Sequence, residues 1–351
     1  MIASYRARPV SAARSPTPRL QIRKIDNPVR VKRRILLISL ALTAAVVTLY
    51  CVRLGWPQRD YFIERAGSPT QIELAATDRP DGITETVSLV SSSGLRVDLR
   101  TLRPPAADGE RLPVLILLGG HRTGRNAVDL VGEPDGIAFA AIDYPYEASH
   151  HLDGFWESLA AVPAIQQAFR DTPPALSLAL TWLLQQSWVD PQRVELVGVS
   201  LGVPFAAAAG GVDKRFSRVW LLHGGADNQS WVEHAGRRSI SNDTLRRVAA
   251  AAALFLVYGR SLDTRDWLPE IAPRPLIVVA ARGDDFVPPA AQAPFIEAAK
   301  NGNVELIWTD GRHIQPNRID ELRQLLDIVR SRVTAAASTP THPAALDSGG
   351  R

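Results

Sequence analysis

Three short stretches of the 351-residue chain carry side chains that could act together on a carbonyl group. The first is Gly198-Val199-Ser200-Leu201-Gly202, in which a serine stands two residues from a glycine on either side. A serine hydroxyl is a poor nucleophile at neutral pH, so it needs a base within hydrogen-bond reach and a third group that orients the base. The base candidate is His313, in Asp310-Gly311-Arg312-His313-Ile314. Asp284 and Asp285 are the acid candidates, in Ala281-Arg282-Gly283-Asp284-Asp285-Phe286-Val287-Pro288, with Asp227 after His223-Gly224-Gly225 as a third option. The negative charge of a tetrahedral intermediate also calls for hydrogen-bond donors. The backbone N–H of Leu201 is one candidate, and Gly120 or His121 in Gly119-Gly120-His121-Arg122-Thr123-Gly124 is the other.

The glycine spacing around Ser200 has a steric reason. A serine forced into a strained turn between a strand and a helix brings backbone close two residues before and two after, where only a residue without a side chain fits comfortably. The elements needed for that turn are legible: residues 194–199 read as a strand, and an alanine-rich helix starts near Val203. Upstream, LPVLILL (112–118) and IAFAAI (137–142) are unbroken apolar runs, the pattern of strands buried on both faces. RVWLL (218–222), PLIVVAA (275–281) and residues 304–308 are three more strands. Residues 84–92 and 95–102 alternate around Ser93-Gly94 as a hairpin at a sheet edge. Helices are expected over 175–187, 243–258 and 319–333, and an extra helix over the site within 144–174. Strands alternating with helices give a mostly parallel sheet with helices on both faces. Segments 144–174 and 226–270 read as cap insertions that shape the substrate pocket.

At this point the chain resembles the α/β-hydrolase superfamily over residues 85–333. Gly198 to Gly202 matches its nucleophile elbow. The acid loop is similar to the family's Gly, one or two variable residues, Asp, two residues, Val-Pro. Asp284 fits that D-x-x-V-P spacing and Asp285 does not. Val189-Asp190-Pro191-Gln192-Arg193-Val194 resembles the lead-in to the elbow in esterase-like and oligopeptidase-like members. One departure is Val203 followed by Pro204, where many relatives carry a further glycine. The resemblance implies the α/β-hydrolase fold with a small cap and a Ser200, His313, Asp284 triad cleaving an ester rather than an amide through an acyl-enzyme. An acyltransferase with the same triad, or a binding module that has kept the fold, is the alternative.

Charge divides the rest of the chain. Of the net +4, residues 1–34 contribute +9, leaving −5 for the remainder, so the basic balance belongs to a tail and points to no nucleic-acid partner. Residues 35–52 hold no charge, follow Arg30-Val31-Lys32-Arg33-Arg34, and read as a single-pass transmembrane signal anchor. The basic flank places that end in the cytoplasm and the catalytic part outside the inner membrane. A cleaved leader fits less well, because the basic region is long and no A-x-A-like site follows. Residues 53–84 are expected to be a juxtamembrane linker, and 1–34 and 334–351 disordered tails. Cys51 has no disulfide partner within the chain, His150-His151 lacks chelating spacing, and no cofactor or metal is expected. His121, His223, Trp156, Trp231 and Trp267 read as lining or core residues.

Overall fold

The structure, a computed structural model, describes residues 28–79, 82–105, 109–120, 123–146 and 154–337. Of the tails expected to be disordered over 1–34 and 334–351, residues 28–34 and 334–337 are helical, and 1–27 and 338–351 lie outside the described residues, as does the pair His150-His151. The chain divides into two units, residues 1–51 and 52–351. Helix α1 (Pro28–Gly55) dominates the first. Its stretch Lys32–Gly55, 24 residues, is long and apolar enough to cross a membrane. At ~1.5 Å per residue it reaches about 36 Å, more than the ~30 Å of a hydrocarbon core.

The second unit continues with α2 (Arg59–Ala66), β1 (Pro69–Arg79), β2 (Gly82–Ser91), β3 (Arg96–Arg103) and β4 (Leu112–Leu118). A 3₁₀ turn (Gly124–Leu130), β5 (Ala138–Ile142), α3 (Phe155–Leu183), β6 (Val189–Val199) and α4 (Gly202–Val212) follow. Then come β7 (Arg218–Leu222), α5 (Asn228–Ala235), α6 (Asp243–Leu256), α7 (Thr264–Ile271) and β8 (Leu276–Ala281). The chain closes with α8 (Pro289–Ala298), β9 (Val304–Thr309) and α9 (Ile319–Ala337). Among the described residues the strands form one sheet in the order β1-β2-β3-β5-β4-β6-β7-β8-β9. Pairing is antiparallel from β1 through β5 and parallel from β5 through β9.

Side-chain alternation along the parallel strands builds two cores. Val114, Ile116, Leu196, Val219 and Val278 face one side, where they pack with Leu176 and Leu180 of α3 and Phe205 of α4. Leu115, Val197, Trp220, Ile277 and Val279 face the other, where Leu325 and Val329 of α9 and Val128 of the 3₁₀ turn cover them. Because the period of a strand is two, the same short sequences supply both layers.

Three expectations change. The segment read as a linker holds α2 and the edge strand β1. Pro57 and Gly67 flank α2, and Pro69 is the first residue of a strand at the sheet edge, where its missing N–H costs nothing. Residues 155–183 form one helix that runs through Pro163, Pro173 and Pro174. Burial of Leu176, Leu178, Ala179 and Leu180 against the sheet outweighs the roughly 3 kcal/mol each interior proline costs. Within the supposed insertion 226–270, α7 belongs to the helical layer: Trp267 packs against Gly211 of α4, where a Cβ would come within 2.7 Å of the indole.

Candidate active site

Strand β6 delivers Ser200 at the carboxyl edge of the parallel strands, and the turn that follows is as tight as the glycines suggest. Ser200 has φ 53°, a left-handed conformation that costs a non-glycine residue about 1–2 kcal/mol. A Cβ on Gly198 would lie 2.5 Å from the Ala206 methyl and 2.8 Å from the Gly202 carbonyl. One on Gly202 would overlap the Leu118 carbonyl at the end of β4. The turn is held by Ser200 N–H donating to Leu222 O (2.9 Å) and Val203 N–H to Ser200 O (3.0 Å). Val203, the departure from the family pattern, packs against Gly224, which has no Cβ to meet it. The glycine missing from one side of the contact is supplied on the other.

Two loops bring the partners. The loop after β8 carries Asp284 and the loop after β9 carries His313, and the backbone zips them together through Arg282 N–H to Thr309 O (2.9 Å) and Gly283 N–H to Gly311 O (3.2 Å). Asp284 Oδ1 accepts the N–H groups of Phe286 (2.8 Å) and Val287 (2.9 Å). Its Oδ2 lies 2.8 Å from His313 Nδ1, and His313 Nε2 lies 2.8 Å from Ser200 Oγ. Burial alone would push the Asp284 carboxyl up, but the hydrogen bond and charge of His313, with the two backbone N–H groups, hold it below the usual carboxylate range. An ionised carboxylate can only accept, so Nδ1 carries the imidazole proton and Nε2 is left to accept from the Ser200 hydroxyl. Phe286 stacks on the His313 ring at 5.0 Å between centroids.

The other candidates are placed elsewhere. Asp285 is exposed. Asp227 caps α5, accepting Ser230 N–H (3.0 Å), and pairs with Arg265. Gly119 and Gly120 line the same cavity as Ser200, with Gly119 O accepting from Tyr144 hydroxyl (2.6 Å) and Gly120 O from Thr123 hydroxyl (2.7 Å). His121 lies outside the described residues. Trp156, expected as lining or core, is 77% exposed.

His223 has a part that sequence reasoning missed. It is buried at the end of β7 with φ 50°, and its Nδ1 accepts the N–H of Ile314 (3.0 Å), the residue after His313. Burial drives its pKa down to about 4, so it stays neutral while fixing the His313 loop. His223, Asp284 and His313 each offer a ligand atom within 4.8 Å of one another. A metal there would have to displace the Asp284–His313 and His313–Ser200 bonds, so the arrangement suits proton transfer better than metal binding.

A cavity of about 430 Å³ opens beside Ser200 and His313. Among the described residues none of its lining comes from 144–174 or 226–270, the segments expected to shape it; the walls include β4 to β7, the 3₁₀ turn and α9. The pocket lies on the α9 side of the sheet, toward the carboxyl ends of β4 to β7.

The layered sheet is shared with solved structures. An acetyl xylan esterase from Paenibacillus sp. R4 superimposes with a TM-score of 0.56 at 17% identity, covering 77% of this chain and 92% of that one. The chain has the α/β-hydrolase fold. Acetyl xylan esterase 1 from Thermoanaerobacterium sp. JW/SL YS485 is similar at a TM-score of 0.53 and 14% identity, over 77% of this chain and 93% of that one. Glucuronoyl esterase from Solibacter usitatus gives 0.50 and 16%, over 75% and 86%. No protein-family model matches the sequence, and no curated protein is similar to it. On this fold the chain carries Ser200, Asp284 and His313 after β6, β8 and β9 respectively.

Proposed function

We propose that this α/β-hydrolase is a serine hydrolase of carboxylic esters, with Ser200 as nucleophile, His313 as base and Asp284 as the group that orients His313. The observation that carries the reading is the unbroken chain of two 2.8 Å contacts, Ser200 Oγ to His313 Nε2 and His313 Nδ1 to Asp284 Oδ2. Ser200 Oγ attacks the acyl carbon while its proton passes to Nε2. The imidazolium, held by Asp284, returns that proton to the departing alkoxide, and alcohol leaves. Water then attacks the acyl-enzyme with His313 again taking the proton, and the acid is released with Ser200 restored. The developing oxyanion is received by the N–H of Leu201 and by a second donor in the loop of Gly120 and His121. Esters are preferred to amides because the structural neighbours named above are esterases.

The test is Ser200→Ala against a p-nitrophenyl ester. Loss of a triad nucleophile should lower the rate by roughly 10⁴ to 10⁶. Undiminished turnover, or failure of a fluorophosphonate to label the unaltered enzyme, would sink the assignment.

The reading extends to placement. The apolar helix with its basic N-terminal flank supports a single-pass anchor through residues 35–52 in the inner membrane, with the hydrolase domain of residues 85–333 on the extracytoplasmic side. A signal sequence shares those properties, so the test separates the two: a retained anchor leaves the full-length chain in the membrane fraction after alkaline carbonate washing. A reporter fused after Arg351 should be active only outside the cytoplasm, and cytoplasmic activity there refutes the orientation.

A further inference from the structure

We propose that the cavity beside Ser200 is an acyl-chain pocket and that the substrate is an ester of a linear, medium-length apolar acid; this rests on the serine-hydrolase reading above. The cavity holds about 430 Å³, within the usual range of small-molecule sites. Its polar side chains are gathered at the mouth: Ser200, His313, Thr123 and Gln315. Among the described residues every other lining side chain is apolar, and Leu115, Phe139 and Val329, the lining residues furthest from Ser200 along β4, β5 and α9, are buried. A sugar or a charged chain threaded there would leave its polar groups without partners.

Length follows from two elements that flank the cavity. Along β6 the lining runs from Ser200 back to Val197, three residues, or ~10 Å at about 3.3 Å per residue. Along α9 it runs from Leu322 to Val329, seven residues, or ~10 Å at 1.5 Å per residue. A zigzag chain with bonds of about 1.5 Å advances roughly 1.3 Å per bond, so ~10 Å accommodates about eight carbons.

The part of the ester that enters is the acyl group. The lining residues furthest from Ser200 along β4, β5 and α9 are buried, and Ser200 stands at the carboxyl edge of the sheet. An alcohol lodged inside would have to leave past the acyl group it had just left on Ser200. An acyl chain lodged inside stays until water frees it, and the alcohol departs from the open side.

The experiment measures kcat/KM for two ester series, p-nitrophenyl esters of acids from acetate to myristate and acetate esters of alcohols of increasing length. The acyl series should rise from acetyl to about octanoyl, by up to roughly fourfold per methylene, and then fall, while the alcohol series stays nearly flat. Two variants read the inner wall in opposite directions. Ala127→Leu should lower the octanoyl-to-acetyl ratio by about tenfold or more, and Val329→Ala should move the optimum to a longer chain. Misfolding would depress both substrates together and cannot move an optimum upward. An enzyme labelled by fluorophosphonate that prefers acetyl, that follows alcohol length, or whose ratio is indifferent to both variants overturns the acyl pocket and leaves the hydrolase reading standing. Absence of labelling and of any ester turnover overturns both.

Discussion

Exchanging Asp284 for Asn changes one atom and isolates what the carboxylate does. In the structure Oδ1 accepts two backbone N–H groups, from Phe286 and Val287, and Oδ2 accepts from His313 Nδ1. An amide has a single acceptor oxygen. If that oxygen keeps the backbone bonds, the NH₂ faces Nδ1, which must become the acceptor; the imidazole proton then sits on Nε2, and Nε2 can no longer receive the Ser200 proton. The reverse orientation sets NH₂ against two N–H donors around a side chain only 1% exposed, leaving each donor without a partner at about 1–3 kcal/mol. Two orphaned donors outweigh one exchanged bond, so the wrong tautomer is the expected state. In a serine protease the corresponding substitution lowers kcat by about 10⁴, which at 1.36 kcal/mol per decade is ~5.4 kcal/mol of transition-state stabilisation. The same order is expected here, with thermal stability lowered only by the loss of the ionised carboxylate beside His313, because the backbone bonds survive. Initial rates on a p-nitrophenyl ester and a melting curve measure both. An Asp284→Asn enzyme that keeps more than about a tenth of its activity, or an Asp285→Asn enzyme that loses as much, refutes the reasoning.

The remaining predictions concern the frame. His223 has a folded pKa near 4 against an unfolded value of 6.5, so the folded state binds fewer protons between those values. Stability is therefore complete above pH ~6.5 and lost as pH falls toward ~4, by up to about 3 kcal/mol. His223→Asn offers Oδ1 to Ile314 N–H, suits the left-handed φ, and does not titrate. Denaturant unfolding at pH 7 and pH 4.5 should show the variant gaining on the parent in acid, and equal losses would contradict the assignment. Asp284, held below the usual carboxylate range, adds stability above its unfolded pKa that disappears as pH falls through its folded one. Gly202→Ala forces a Cβ into the Leu118 carbonyl, and since neither backbone can yield, a loss of about 3 kcal/mol or more is expected in thermal unfolding. A variant as stable as the parent would mean the elbow is looser than its geometry.

Much of the frame was legible because it obeys short-range rules. LPVLILL could only be a strand buried on both faces, and β4 occupies those seven residues. Ser200, the acid loop and His313 were legible together because each sits at the end of a strand whose apolar run is unmistakable. What escaped depends on contacts between distant residues. Pro173 and Pro174 signal a break, and only the depth at which Ala175 to Leu180 pack overrules them. β1 reads as loop because Ile72 and Leu74 are exposed and its place is set by pairing with β2. His223 acts on a residue 91 positions away through a backbone N–H, and nothing in its own neighbourhood in sequence points there.

The pocket was illegible for a further reason, and that reason bears on its meaning. Its walls come from strands, a 3₁₀ turn and α9, and every apolar residue in them satisfies the same pattern whether the layers close or stand apart. Closing them is what packing favours: side chains that leave 430 Å³ unfilled forgo contacts. Unfilled apolar space beside a core forgoes packing energy. Larger residues at Ala127 or Val329 would recover part of it at once. A sequence that keeps those positions small, next to a serine already aligned with its base, is trading stability for room along the path an acyl chain would take. In the proposed reading, room on that side of the sheet leaves the described parts of 144–174 and 226–270 outside the acyl site, and the other side of Ser200 to the alcohol.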